Sequence, residues 1–168
     1  MRALRIIALT LAATLAAFPL VGCANYRPLY GSSGATAGVA VELSGITVAE
    51  QKSRAGQLVR NELMSVMRGG GSNDFVLELL PEESTRKVSD PVGEKLERYR
   101  YTLKMKYALR KAGNNTVLSE GSAFSNVSYD TVEQPVSDLQ AAENAKLRAS
   151  KEVSEEIRLR LAAYFSKR

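Results

Sequence analysis

A strict alternation of apolar and polar side chains between Arg98 and Arg110 constrains the fold of this chain more than any other part of its sequence. The apolar positions are Tyr99, Tyr101, Leu103, Met105, Tyr107 and Leu109, and the positions between them are Arg98, Arg100, Thr102, Lys104, Lys106, Ala108 and Arg110. Successive side chains of a β-strand point to opposite faces, so this pattern predicts a long strand with one apolar and one basic face. Gly113-Asn114-Asn115 predicts a hairpin turn into a returning strand, Thr116 to Tyr129, in which Gly121 is a candidate bulge.

A β-branched run and an amphipathic pattern lie nearer the N-terminus. Val39 to Val48 predicts a strand, and Thr47 with Glu50 has the spacing of a capping box that would start a helix directly after it. The apolar residues of that helix recur at helical spacing, namely at Ala55, Val59, Leu63, Val66 and Met67. Gly69-Gly70-Gly71 comes after the helix and lacks the Gly-Lys-Ser/Thr of a phosphate-binding loop, so we interpret it as a helix stop.

A second apolar segment lies between this helix and the alternating strand. Phe75 to Leu80 predicts a short strand that Pro81 closes. The polar stretch Glu82 to Glu94 contains Asp90-Pro91, and it indicates either a loop or a frayed continuation of the strand.

A second helix is predicted at the C-terminal end of the chain, where Ser137 and Gln140 repeat the capping-box spacing. Its apolar positions are Leu139, Ala142, Ala145, Ala149, Val153, Ile157, Leu161 and Tyr164, and they do not keep the heptad spacing of a coiled coil. The predicted order β-α-β-β-β-α corresponds to an α+β two-layer sandwich. In that fold both helices cover one face of an antiparallel-rich four-stranded sheet.

The lone cysteine, Cys23, lies at the end of a long apolar run. Arg2 and Arg5 precede this run, Ile6 to Val21, which is shorter than the ~20 residues that a membrane-spanning helix needs. The sequence has no second cysteine and no histidine, so Cys23 has no partner for an internal disulfide or a zinc site. The run is therefore a secretory signal peptide or, as the alternative, an uncleaved anchor with an inert thiol.

The sequence around Cys23 resembles two known patterns. Leu20-Val21-Gly22-Cys23 resembles the lipobox of bacterial lipoproteins, in which the cysteine carries lipid and becomes the mature N-terminus. The following Tyr26-Arg27-Pro28-Leu29-Tyr30, and the segment Arg54 to Leu63, resemble the start and the first helix of the LPS-assembly lipoprotein family (LptE). The predicted order of strands and helices is similar to that of this family as well, so the resemblance covers nearly the whole mature chain.

These resemblances imply a domain organisation and a location. Residues 1–22 would be a signal peptide, residues 23–38 a lipidated N-terminus with a flexible tether, and residues 39–168 one LptE-like α+β domain. Ala24 is not the aspartate that favours inner-membrane retention in lipoproteins, which implies the outer membrane, with the domain facing the periplasm or lying within a barrel lumen. The implied partners are an outer-membrane β-barrel translocon for lipopolysaccharide (LPS), which the family plugs and helps to assemble, and LPS itself.

The composition gives little support to an enzyme or a nucleic-acid-binding protein. General acid-base catalysis usually recruits histidine, which is absent, and the one thiol is expected to carry lipid. The charges are spread along the chain without blocks. We therefore expect no catalytic residue, no metal, no cofactor besides the lipid on Cys23, and no nucleic-acid partner. The alternative function is that of an accessory lipoprotein in another envelope transport system.

The basic face of the alternating strand is the candidate LPS-binding surface. Its members are Arg98, Arg100, Lys104, Lys106 and Arg110. LPS carries phosphates, which arginine binds through two parallel hydrogen bonds. The alternative is that these residues form only the solvated face of a half-buried strand, where each exposed ion pair contributes little to stability. Arg86 and Lys87, in the segment interpreted as a loop, are the second candidate pair.

Overall fold

The structure is a computed structural model that describes residues 35–67, 72–89 and 97–167. The elements of this part of the chain are α1 (Ala35–Ser44), β1 (Ile46–Val48), α2 (Arg54–Val66), β2 (Phe75–Ser89), β3 (Glu97–Lys111), β4 (Val117–Thr131) and α3 (Pro135–Ser166). They form an α+β fold, which confirms the predicted class. The predicted order lacks only α1.

The four strands form one sheet in the spatial order β1-β2-β3-β4. Consecutive strands β2, β3 and β4 have 15 residues each and pair antiparallel. The three-residue β1 pairs in parallel with the start of β2, from Ile46 opposite Phe75 to Val48 opposite Leu77. The sheet is therefore mixed and antiparallel-rich, and α2 makes the crossover that a parallel pair requires.

The core lies between the helices and the apolar face of β3. Leu103, Met105 and Leu109 are completely buried, whereas the even-numbered positions 104, 106 and 108 between them are exposed or half-buried, which confirms the alternation predicted from the sequence. Helix α2 contacts α3, and α3 contacts both β3 and β4 on this side of the sheet. Burial of each of these large apolar side chains contributes about 1.5–3 kcal/mol to folding.

The prediction of a strand over Val39–Val48 is wrong for most of its length. Residues Ala35–Ser44 form helix α1, and only Ile46–Val48 is a strand. Val39 and Leu43 are both buried and are four residues apart, which places them on one face of the helix, and α1 contacts α3. Packing against α3 has overridden the β-branched composition of this segment. The helix begins at Ala35, so residues 35–38 of the predicted tether are helical.

Helix α2 begins later than predicted because a different residue caps it. The N–H of Gly56 donates to Ser53 Oγ at 3.0 Å, and Ser53 is the N-cap. The predicted cap, Thr47, instead donates its hydroxyl proton to Asn73 Oδ1 at 2.7 Å. The helix ends at Val66, before the glycine run at residues 69–71, which lies outside the described residues.

Strand β2 continues through Pro81 to Ser89, so the prediction that Pro81 ends the strand is wrong. Pro81 lies opposite Met105 of β3. Because β1 pairs only as far as Leu77, β2 has one neighbour beyond that point and forms an edge of the sheet, where proline is tolerated. The interpretation of the following polar stretch as a continued strand is confirmed as far as Ser89.

The hairpin between β3 and β4 has the predicted turn. Gly113 and Asn115 have positive φ angles of 92° and 58°, which small residues of this kind tolerate. The register irregularity lies where the partners of Leu109 and Arg110 change, and not at the predicted bulge, Gly121. Gly121 instead pairs regularly with Tyr107, whose ring lies close to its backbone.

Helix α3 begins at Pro135, and the predicted capping box at Ser137 and Gln140 is wrong. Its N-cap, Gln134, makes no side-chain capping bond, and the proline occupies a first-turn position where its missing N–H costs little. The first turns extend beyond the core, with Leu139 exposed, and burial begins at Ala145. No helix within the described residues has the length and apolar character needed to span a membrane.

Candidate functional site

The outer face of the sheet is the side that points away from the helices. We define it as the even-numbered positions of β3 from 98 to 110 together with their partners on β2 and β4. It carries the five basic residues that the alternating pattern put forward, which are Arg98, Arg100, Lys104, Lys106 and Arg110. The structure therefore brings all of them onto one surface, and their partners decide what each can bind.

Lys104 and Lys106 share one carboxylate, that of Glu82 on β2. Lys106 Nζ lies 2.5 Å from Glu82 Oε1, and Lys104 Nζ lies 3.8 Å from Glu82 Oε2. The hydrogen bond from Lys106 and the charges of both lysines lower the pKa of Glu82 below its ordinary value. Both lysines are thus partly neutralised within the sheet.

Arg98 is held by Asp130 of β4, which lies directly opposite it. Arg98 Nε donates to Asp130 Oδ1 at 2.7 Å and Arg98 Nη2 donates to Oδ2 at 3.1 Å, so the pair is bidentate. The hydrogen bonds raise the pKa of Arg98 and lower the pKa of Asp130. A ligand that bound Arg98 through Nε and Nη2 would have to displace this carboxylate.

Arg110 has partners on both sides. Its Nε donates to Glu78 Oε2 at 2.8 Å, and its Nη1 donates to the backbone oxygen of Asn115 at 3.2 Å. It is also only half-exposed. Arg110 therefore joins β2 to the turn between β3 and β4.

Arg100 differs from these four residues because no carboxylate among the described residues pairs with it. It lies opposite Arg86 on β2 and opposite Ser128 on β4. Within residues 35–67, 72–89 and 97–167, no salt bridge joins Arg86 or Arg100 to a carboxylate. Both arginines are exposed. The outer face thus has one place where positive charge faces positive charge.

Uncharged groups lie on one side of this arginine pair. The next row of the sheet consists of Ser84, Thr102 and Asn126, in which Thr102 Oγ1 donates to Asn126 Oδ1 at 2.6 Å. On the other side lies Asp130, whose carboxylate is already bound to Arg98. The row of Ser84, Thr102 and Asn126 can therefore donate hydrogen bonds without adding negative charge, whereas the carboxylate on the other side is held by Arg98.

Arg148 of α3 reaches the same row from the edge of the sheet. Its Nη2 donates to the backbone oxygen of Ser128 at 3.3 Å. Arg148 and Lys151 also line an open groove of about 620 Å³ beside Tyr129. Sequence reasoning missed Arg148, because its position depends on how α3 crosses the sheet and no local pattern reports that crossing.

The second candidate pair of the sequence is divided between the two faces. Arg86 lies on the outer face opposite Arg100, whereas its neighbour Lys87 lies opposite Tyr99 and bonds to Glu97 at 2.7 Å. The signal for Arg86 was present in the sequence, since extending β2 beyond Pro81 would have placed it on the basic face.

Cys23, the predicted lipidation site, lies outside the described residues. The same is true of the lipobox, the Tyr26–Tyr30 segment and most of the predicted tether. Among the residues that the structure does describe, no three His, Cys, Asp or Glu side chains lie close enough together to hold a metal ion.

Comparison with known proteins identifies a shared fold. No protein-family model and no curated protein matches the sequence. The crystal structure of a candidate lipoprotein from Caulobacter crescentus is similar over 80% of this chain and 100% of that chain, with a TM-score of 0.68 and 25% sequence identity. This chain therefore has the fold of a candidate bacterial lipoprotein.

Two further solved structures are similar at a lower level. A minor lipoprotein from Acinetobacter baumannii matches 70% of this chain and 88% of that chain, with a TM-score of 0.49 and 13% identity. Rare lipoprotein B from Shewanella oneidensis matches 73% of this chain and 89% of that chain, with a TM-score of 0.33 and 17% identity.

Proposed function

We propose that this chain is an outer-membrane lipoprotein of the LPS export machinery. In this role a lipid on Cys23 anchors it, its α+β domain helps to assemble and then plugs a β-barrel translocon, and its outer face contacts LPS. The lipobox at residues 20–23 and the fold shared with a candidate lipoprotein support the anchored envelope protein. The resemblance to LptE supports the finer role.

The observation that carries the proposal is the length of the outer face and the ion pairs that it carries. Strands β2, β3 and β4 have 15 residues each, which corresponds to about 50 Å of extended chain. The apolar band of an outer-membrane barrel is only ~25 Å tall, and the barrel interior is polar. A domain with such strands is long enough to extend through a lumen while presenting ion-paired side chains to its polar wall.

A lipid anchor suits this arrangement. An anchor confines the domain to the membrane that holds the barrel, which raises the effective concentration of the domain near its partner. Because one acyl chain binds a membrane only reversibly, durable attachment requires the several chains of a bacterial lipoprotein. The anchor therefore supplies proximity, and the domain supplies the specific contacts.

Depletion of the protein from the bacterium that makes it tests this proposal. We expect the amount of correctly assembled barrel to fall and antibiotic sensitivity to rise, and a large outer-membrane barrel to co-purify with the full-length protein. The matched control is a strain that expresses the wild-type chain from a second copy during the depletion. Unchanged barrel levels and an unchanged permeability barrier would instead favour an accessory lipoprotein of another transport system.

A further inference from the structure

We propose that Arg86 and Arg100, with Arg148 at the edge of the sheet, form a binding site for a phosphate monoester carried by a saccharide. The choice of a saccharide rests on the proposed function, because LPS carries its phosphates on sugars. The choice of a phosphate rests on the charges and the register of the described residues.

The first argument is the electrostatic imbalance at this row. Arg98, Lys104, Lys106 and Arg110 each lie near a carboxylate of β2 or β4, which is Asp130, Glu82 or Glu78. At the Arg100 row, β2 supplies Arg86 instead. Directly opposed side chains of an antiparallel pair have Cβ atoms about 4.5–5.5 Å apart, and like charges there destabilise the sheet. A bound anion between the two guanidinium groups would turn this repulsion into attraction.

The second argument is the match between two guanidinium groups and a monoester. Each guanidinium can donate two parallel hydrogen bonds to a pair of phosphate oxygens. A phosphate monoester offers three terminal oxygens and a charge of about −1.5 to −2 at neutral pH. A phosphodiester, as in a phospholipid headgroup, has a single charge and two free oxygens, so it satisfies two arginines less well.

The third argument is the surrounding row of hydroxyl and amide groups. Asn126 Oδ1 accepts from Thr102, which turns the amide nitrogen of Asn126 away from that hydroxyl. Ser84 and Ser128 add two hydroxyl groups next to the arginine pair. Such groups bind the hydroxyls of a sugar, and none of them repels the phosphate.

Arg148 contributes from the helix side. Because its Nη2 binds the backbone oxygen of Ser128, its guanidinium is held at the end of the row that begins with Arg86 and Arg100. Three arginines from β2, β3 and α3 therefore follow one line across the sheet. Their arrangement depends on the folded structure, because they are separated widely in the sequence.

Titration calorimetry on the full-length chain in a non-ionic polyoxyethylene detergent tests the site. The probes are glucose 1-phosphate, inorganic phosphate and glycerophosphoglycerol, which is the diester headgroup of phosphatidylglycerol. In the Arg86→Gln/Arg100→Gln double variant we expect the affinity for glucose 1-phosphate to fall by at least about tenfold, because the charge-assisted hydrogen bonds from both guanidinium groups to the phosphate are lost. The wild-type protein should bind glycerophosphoglycerol more weakly than glucose 1-phosphate.

The matched control is Arg110→Gln, which removes the same charge from the same strand and face but from an arginine bound to Glu78. It should retain the wild-type affinity for glucose 1-phosphate. A second measurement, thermal unfolding without ligand, separates the two arginines further. Loss of Arg100 relieves repulsion and should not lower the midpoint, whereas loss of Arg110 breaks an ion pair and should lower it slightly.

Three results would overturn the site. These are unchanged affinity in the double variant, an equal loss in Arg110→Gln, and equal or tighter binding of inorganic phosphate or the diester headgroup by the wild-type protein. None of them depends on the barrel. If the calorimetry gives one of these results while depletion of the protein still lowers the amount of assembled barrel, only this site is rejected. If the site binds phosphate as expected while depletion leaves the barrel unchanged, only the proposed function is rejected.

Discussion

The ring of Tyr107 on β3 lies directly against the backbone of Gly121 on β4. A Cβ atom added at Gly121 would stand 2.8 Å from the hydroxyl oxygen of Tyr107 and 3.0 Å from its Cζ. The tyrosine is only 6% exposed, so its ring has little room to move away. An aromatic side chain on a neighbouring strand here covers a glycine on an edge strand and replaces the packing that the glycine lacks.

Substitution Gly121→Ala should therefore destabilise the protein. We expect the free energy of unfolding to fall by about 1–3 kcal/mol, the usual cost of overpacking a well-filled region. Urea denaturation followed by circular dichroism measures this change. The double variant Gly121→Ala/Tyr107→Leu removes the clash, so its loss should be smaller than the sum of the two single losses. Additive losses would mean that the ring does not constrain position 121.

Ser154 should not tolerate a larger side chain, because it lies at the contact between α3 and α2. It is completely buried, and its Oγ lies 2.7 Å from the backbone oxygen of Ser150 and 3.3 Å from that of Val59. We expect Ser154→Leu to reduce the free energy of unfolding by about 1–3 kcal/mol through overpacking. Ser154→Ala keeps the close approach and should cost only ~1 kcal/mol. A larger loss in the alanine variant would assign the main role to the hydrogen bond.

Acid should weaken the outer face before it affects the core. The pKa values of Glu82 and Asp130 lie below their ordinary values of 4.5 and 3.8, because Lys106 and Arg98 bind their charged forms. Their contribution to stability is therefore complete above those ordinary values and is lost as the pH falls through the lower pKa values of the folded state. Urea denaturation between pH 7 and pH 3 measures this loss.

The Arg98→Gln/Asp130→Asn variant is the control for that experiment. It removes the bidentate pair, so its stability should decrease less steeply below pH 3.8, the ordinary pKa of Asp130, than that of the wild-type protein. High salt should have the same flattening effect, since exposed ion pairs are screened. If the free energy of unfolding decreases identically at low pH in the two proteins, other carboxylates control the decrease.

Cys23 should be the acylated N-terminus of the mature protein. Mass spectrometry of the protein purified from membranes should show the loss of residues 1–22 and the added mass of acyl chains. Cys23→Ser removes the sulfur that would carry the lipid, and the variant should appear as an unprocessed chain without that mass. A wild-type chain with a free thiol, or cleavage at another position, would contradict the assignment of Cys23 as the lipidation site.

The sequence predicts the fold best where one periodicity extends over many residues. The alternation in β3 correctly gives the strand, the buried face and the exposed face, because a period of two leaves a single register. The prediction fails at α1. Val39 and Leu43 are four residues apart, as in a helix, but it is the contact of α1 with α3 that buries them, and the sequence does not report that contact. The prediction also fails at Pro81, because a local rule against proline in strands does not report which parts of a strand lie at an edge.

The sequence predicts which basic residues share one face of the sheet, but it does not predict which of them are paired with carboxylates. The alternating pattern puts Arg98, Lys104, Lys106 and Arg110 on one face, but their ion pairs come from β2 and β4, which the pattern does not describe. Only the cross-strand register shows that Arg100 faces Arg86. Arg98, which is paired with a carboxylate, and Arg100, which faces another arginine, are therefore only two residues apart in the same strand.

The parallel ladder between β1 and β2 has a mechanical consequence. If the lipid holds the N-terminus, tension on the anchor enters the domain through α1 and β1, where pairing extends over only three residues, Ile46–Val48. The ladders that join β2 to β3 and β3 to β4 are each about five times longer and are built from hairpins that are local in sequence. Under load, α1 and β1 should detach first and lengthen the tether between the lipid and the domain. Strands β2, β3 and β4 and helix α3 should stay folded.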